Sequence, residues 1–297
     1  MTEHRTHRVR GLRANSSRGG STFAFVAWLL LLTMALVSAS QAERAGKSGG
    51  GPDRFDVVVL DAGHGGHDEG AAGPSGLLEK DLVLDVTRKL AERLRQRGVR
   101  VVLTRGADRF LSLEERTAVA NDSRADLFVS IHANASPSRK PRGIETYFAA
   151  LDATDDDARE TAERENRAFD SVAPSFERDD PLAAILGDLI ATQHLQESSE
   201  FAKLAQHELS EIRRAQSRGV KQAPFVVLMG VQMPASLVEI GFLTNPDEEK
   251  GLRRSARREA IADALAAAIG AFAHRYDARR GVRKSGAIGR SSRRMDF

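Results

Sequence analysis

The sequence of 297 residues contains no cysteine. Disulfides are therefore excluded, and any metal has to be held by His, Asp or Glu. An exported chain without cysteine fits a bacterial periplasm or cell surface. Nor is there an apolar run long enough to span a membrane. The longest, residues 23–37 (FAFVAWLLLLTMALV), falls short of the roughly twenty residues a spanning helix needs. Arg5, Arg8, Arg10, Arg13 and Arg18 precede this run, and the small-x-small triplet Ser40-Gln41-Ala42 follows it. That pattern predicts a signal peptide over 1–42, cleaved near Ala42. No adjacent arginine pair precedes the run, which favours general secretion over the twin-arginine route. The expected location is periplasmic or secreted, with no stable membrane span after signal cleavage.

Positive charge is also scarce where a nucleic-acid binder would need it. The formal net charge is +3, but residues 1–20 hold five arginines against Glu3, and the tail from Arg275 holds eight basic residues against Asp277 and Asp296. The residues between are left at −7. A nucleic-acid-binding domain carries its positive charge on the folded part, so nucleic acid is excluded as a partner. The Gly/Ser/Arg-rich tail over 277–297 reads as disordered.

What is present is an alternation of strand and helix patterns. After a linker over 43–54, strands are expected at 55–60, 99–104, 127–131, 143–148, 224–229 and 236–240. Helices are expected at 79–97, where Leu82, Val86, Leu90 and Leu94 recur every four positions, at 112–123 and at 255–276. Ser112 and Glu115 form a capping box in register. This predicts a single α/β domain over 55–276, with a central twisted, mixed or mainly parallel sheet of about six strands covered by helices on both faces. No internal repeat is visible, and a monomer is expected. The segment 152–209 breaks the rhythm. Its 152–180 stretch has eleven acidic against four basic residues. Residues 155–169 read as an exposed helix, 182–190 are apolar at helical spacing, and 201–212 continue a long helix. The insert is either a solvated helical decoration or a regulatory lid.

His64 follows an apolar strand and His132 another, in SIHAN; the carboxyl ends of strands are where α/β sites assemble. Gly63, Gly65 and Gly66 allow a sharp turn around His64. Glu79 lies three and four positions before Leu82 and Val83, on the stripe that faces the sheet. A capping box would want Ser or Thr at position 76, which is Gly, so Glu79 needs another partner, and a cation suits it. Glu239 sits among Leu237, Val238 and Ile240. Two histidines and a carboxylate with an open fourth position describe a catalytic zinc site, and a second carboxylate then serves as acid and base.

The stretches VVLDAGHGGHDEGAAG, LLEKD, VVLTRGADRFLSLEERTAVAN, DLFVSIHANAS, GIETYF and LVEIGFLTNP resemble, in order and spacing, the zinc-dependent N-acetylmuramoyl-L-alanine amidases. The resemblance covers residue 55 to about 148, and then 225 to the closing helix. It implies His64, Glu79 and His132 as ligands of one Zn2+ ion and Glu239 as the catalytic acid/base. It implies peptidoglycan as substrate, cut between N-acetylmuramic acid and the L-alanine of the stem peptide. In the cell-division members a helical insertion covers the site until an activator protein displaces it. The insertion at 152–209, with ARETAEREN inside, resembles that device, and one of its carboxylates could cap the zinc. The linker joins the expected signal directly to the catalytic fold, without the preceding wall-targeting domain of some members. By the same pattern His67 is a bystander, Arg105, Arg116 and Asn121 are braces, and Glu145 is a candidate substrate contact. His194, His207 and His274 read as surface residues. Two rival functions are another zinc peptidase of the cell envelope and a non-catalytic wall-binding protein.

Overall fold

The structure is a computed structural model that describes residues 54–168, 193–213 and 215–282. The expected signal peptide, the linker apart from Arg54, the apolar stretch 182–190 and the tail beyond 282 lie outside the described residues.

Six strands make one sheet: β1 (Val57–Ala62), β2 (Arg100–Leu103), β3 (Leu127–Asn134), β4 (Ile144–Ala149), β5 (Ser217–Ala223) and β6 (Ala235–Phe242). Their order is β2-β1-β3-β6-β4-β5. Neighbours are parallel except β4, which runs antiparallel to β6. The expected six-stranded, mainly parallel sheet is therefore what forms. Every residue of β1, β3 and β6 is buried, as strands covered on both faces must be.

Two cores follow from that covering. On one face lie α1 (Glu79–Gln96), α4 (Gln193–Ser210) and α7 (Ser255–Arg279). They bring Leu82, Leu90, Leu94, Phe201, Leu265 and Phe272 against Leu60, Val129 and Val238. Fully burying one such side chain contributes about 1.5–3 kcal/mol, so this face dominates the stability of the fold. On the other face α2 (Leu113–Ser123), α3 (Asp156–Glu165) and the short α5 (Val226–Met229) cover Val59, Phe128, Tyr147 and Leu237. A last helix, α6 (Pro246–Leu252), is capped by the Asn245 side chain.

Two expectations are corrected. Residues 224–229 do not form a strand: the apolar run is mostly the helical turn α5, and the edge strand is the polar stretch SRGVKQA just before it. β5 is held by backbone pairing to β4, which apolar content does not report. The insert helix α3 is not exposed, because Ala158, Thr161, Ala162 and Glu165 are buried. The long helix starts at Gln193, and its Phe201, Ala205 and Leu209 belong to the larger core. That part of 152–209 is a cover of the sheet. The closing helix also runs on to Arg279.

Candidate active site

β1 delivers the chain to a turn that only certain residues can make. Gly63 N donates to Ile131 O, tying the turn to β3. A Cβ on Gly63 would lie 2.3 Å from the His132 ring, so the glycine leaves the space that ring fills. His64 has φ +58°, in the left-handed region that side chains rarely enter. Its backbone is held there by Arg116 Nη2, which donates to His64 O at 2.8 Å. The loop then turns back at Gly70 (φ +66°), where a Cβ would meet both the His64 ring and Glu79 Oε2. Glu249 of α6 accepts from Ser75 N, Ser75 Oγ and Leu77 N and so fixes the last turn before Glu79.

Glu79 does not cap its own helix, for Leu78 is the N-cap and has no side-chain cap bond. Its two oxygens accept from Ala71 N at 2.8 Å and Ala133 N at 2.9 Å. The helix start is thereby stitched to the loop and to β3. His132 lies inside β3, which runs on to Asn134 with an irregularity between these two residues; it had been expected just beyond the strand.

These elements bring His64, Glu79 and His132 together, and α3 adds a fourth member, Glu165. One donor atom from each lies within 4.8 Å of all the others. Glu79 Oε1 is 3.1 Å from His64 Nε2 and 3.2 Å from His132 Nδ1. Glu165 Oε2 is 3.2 Å from His64 Nε2 and 3.0 Å from His132 Nδ1. Despite these distances, His64 Nε2, His132 Nδ1 and Glu165 Oε2 are buried with no hydrogen-bond partner. Donor atoms aimed at a shared point between them behave this way, and a buried set of two imidazoles and two carboxylates suits a divalent cation. His64 Nδ1 meets Asp68 Oδ2 at 2.9 Å, which leaves Nε2 to face the cluster. Burial disfavours the charged rings, but the Glu79 carboxylate beside His64 and the Glu165 carboxylate beside His132 outweigh it. His64 is held well above its ordinary value and His132 is raised to about 10.

Glu239 completes the set. On β6 it is paired in register with His132 on one side and with Glu145 on the other, so the three side chains leave the same face of the sheet. It is fully buried and both of its oxygens lack a hydrogen-bond partner. Burial, and then the Glu165 carboxylate, push its proton affinity well above the usual carboxylate range. A buried carboxyl with raised proton affinity is suited to exchanging a proton with a substrate.

The remaining candidates divide clearly. Arg105 donates to Ala62 O, Gly63 O and Lys80 O. Arg116 donates to Asp61, Ala62 O and Leu111 O as well as to His64 O. Asn121 joins α2 to Gly230 and Gln232. All three are braces. His67 is exposed and stacks on Phe110 at 4.2 Å, outside the cluster. Glu145 is not free for a substrate: it is buried and bonded to Asn134, Tyr147, Arg218 and Lys221. His207 and His274 are exposed. Sequence reasoning left the insert's carboxylate open among the many acids of 152–209 and did not single out Glu165. The available signal was the spacing Ala158, Thr161, Ala162, Glu165, which places the glutamate on the helix face that docks. A cleft of ≈ 430 Å³ reaches the cluster from outside, bounded by His67, Phe110 and Arg164 and lined by His64, Glu79 and Glu165.

Comparison with known proteins bears on the fold and the family. The family model Amidase_3, N-acetylmuramoyl-L-alanine amidase, matches residues 58–271. N-acetylmuramoyl-L-alanine amidase AmiA of Escherichia coli (strain K12) is 38% identical over 237 residues, covering 79% of this chain and 80% of that protein. An N-acetylmuramoyl-L-alanine amidase of Clostridium difficile 630 superposes with a TM-score of 0.58 at 28% identity, over 74% of this chain and 97% of that one. The CwlD amidase of Clostridioides difficile, solved in complex with the GerS lipoprotein, gives 0.55 at 28% identity over 73% and 98%. The matched region begins within β1 and ends within α7, so it takes in the whole sheet and all four members of the cluster, and the chain belongs to the Amidase_3 family of N-acetylmuramoyl-L-alanine amidases.

Proposed function

We propose that His64, Glu79 and His132 hold a zinc ion, that Glu239 is the catalytic acid/base, and that Glu165 occupies the fourth position at rest. The family fixes the reaction class, amide hydrolysis in peptidoglycan. The observation that carries the finer reading is the convergence of Glu165 Oε2 with the same histidine nitrogens that Glu79 Oε1 approaches.

When bound, zinc supplies Lewis acidity for the amide carbonyl and lowers the pKa of water to about 7. The chain's own residues do the rest. Glu239, as the carboxylate, takes a proton from the attacking water. The new C–O bond forms at the lactyl carbonyl, the C–N bond to L-alanine breaks, and Glu239 returns the proton to the leaving nitrogen. The products are a free lactyl carboxylate on the glycan and a free amine on the stem peptide. The raised proton affinity of Glu239 serves both halves of the cycle.

While Glu165 stays in place, the fourth position is closed to substrate. Displacing α3 would open it, and a partner protein binding the insertion is the means we propose, in the setting of cell separation after export through the 1–42 signal. That the CwlD amidase was solved in complex with the GerS lipoprotein supports a protein partner for this fold. The test is release of stem peptides from purified peptidoglycan after chelation and again after zinc is restored. Chelation should abolish release and zinc should restore it. Mass analysis should find intact stem peptides with a free N-terminal alanine; cleavage within the stem would support the peptidase reading. Release that survives full metal removal would sink the proposal.

A further inference from the structure

The start of α3 is fastened to the sheet by an ion cluster outside the candidate metal centre. Asp155, the N-cap of α3, lies 3.1 Å from Lys221 Nζ, and Asp157 Oδ2 lies 2.9 Å from Arg218 Nη2. Both cations come from β5. Behind them, Glu145 Oε1 is 2.7 Å from Arg218 Nε and 2.9 Å from Lys221 Nζ. Three carboxylates therefore surround two cations. Two of the three belong to the lid and one to the sheet.

Position makes this cluster more than a latch. Glu239 is paired with Glu145 across β6 and β4, and Tyr147, two residues along β4, is paired with Lys221 of β5. Residues paired or two apart share a face, so Lys221 stands on the same face as Glu239. Two strand spacings separate β6 from β5, about 10 Å. Withdrawal of α3 takes Asp155 and Asp157 away and leaves Arg218 and Lys221 with Glu145 alone. One positive charge is then uncompensated. Glu145 still holds both cations from the sheet and Arg218 is backed by the Phe242 ring at 5.2 Å, so both cations stay on β5. Two cations facing one carboxylate attract a further anion, and an incoming carboxylate of the right reach supplies it.

We propose that Arg218 and Lys221 form a carboxylate-binding subsite for the stem peptide, occupied at rest by Asp155 and Asp157 in its place. The inference rests on the reading of α3 as a displaceable lid over an amidase centre. An extended peptide advances about 3.3–3.6 Å per residue. With the two-residue offset between the Glu145 and Tyr147 pairings the reach from Glu239 is about 12 Å, which selects a carboxylate borne about three residues beyond the scissile bond. The lid would then compete with substrate at two points, through Glu165 at the cluster and through the two aspartates here.

The test uses the full zinc-loaded chain carrying Glu165→Gln, Asp155→Asn and Asp157→Asn. Asparagine retains the N-cap, while the substitutions leave both cations with Glu145 alone and remove the Glu165 carboxylate from the fourth position. Two soluble substrates are compared: an N-acetylmuramoyl tripeptide with free peptide carboxylates, and the same molecule with those carboxylates amidated. The free acid should show a KM lower by roughly tenfold, as a charge-assisted contact predicts, with similar kcat. Adding Lys221→Gln should erase the difference by raising the KM of the acid alone. Equal KM values before Lys221 is touched would overturn the subsite, and that comparison needs only one folded protein. No zinc-dependent cleavage of either substrate would overturn the amidase centre itself, and the subsite with it.

Discussion

Glu165 Oε2 on α3 lies 3.0 Å from His132 Nδ1 on β3, as close as Glu79 Oε1 comes to the same nitrogen. A carboxylate from α1 and a second one from the insert thus share one imidazole. Arg164, the next residue on α3, donates to Asn134 Oδ1 and Ala135 O at the end of β3, which seats the helix end over the cluster. Removing the Glu165 carboxylate should therefore free the fourth position without moving the other three groups. We expect Glu165→Ala in the full chain to raise the basal rate on purified peptidoglycan by roughly tenfold, equivalent to about 1.4 kcal/mol. A basal rate equal to that of the unsubstituted chain would remove Glu165 from the resting state.

The proposed role of Glu239 is proton transfer, distinct from metal binding. It lies beside His132 in the sheet but is absent from the group of converging donors. Glu239→Gln should leave metal content at the unsubstituted level and lower turnover by about 10²–10⁴, the usual range for a positioned general acid or base. Loss of metal together with activity would instead make it a ligand.

The sequence carried the central part of this arrangement and missed its edge, for physical reasons. β1, β3 and β6 are apolar runs bounded by turn residues, and α1 shows its buried stripe directly, so the strand ends bearing His64, His132 and Glu239 could be placed. β5 could not, because Arg218, Lys221 and Gln222 are polar and the strand exists through pairing with β4. The run PFVVLM beside it has the composition of a strand yet turns as a helix. For α3 the docking face is made of alanines and a threonine, too weakly apolar to stand out among eleven acids. Glu165 was hidden for the same reason, as its burial depends on the sites it meets across 33 residues of chain to His132. Glu79 was legible by default: it was out of register for a cap, and its true partners are two backbone amides and two imidazoles.

Gly63 offers a test that leaves every proposed ligand chemically intact. A methyl group there would lie 2.3 Å from His132 Cε1 and 2.6 Å from Nδ1, closer than any real contact, so the ring has to turn. Gly63→Ala should weaken metal binding by roughly tenfold or more, on the scale of losing a residue that orients a ligand. Titration of the chelated protein with zinc checks this, with circular dichroism confirming the fold. Unchanged affinity would show that the ring has room to adjust.

The last prediction concerns acid stability. Burial raises the affinity of the Glu145 carboxyl for a proton, but hydrogen bonds from Arg218 and Lys221 and their charges outweigh burial, so it lies below its ordinary 4.5. Asp61 is lowered in the same way, burial being overcome by Arg116 and by bonds from Thr104 and Ser130. With a folded value below the unfolded one, the unfolded chain binds more protons in the interval between them, and stability rises with pH there. The contribution is complete above about pH 4.5 and is lost as pH falls through the lowered folded value. Thermal unfolding from pH 7 to pH 3.5 should show Tm falling below about pH 4.5. Glu145→Gln should start from a lower Tm at pH 7 and lose less on acidification, because one of the groups responsible is gone. Parallel losses in the two proteins would place the acid sensitivity elsewhere in the fold.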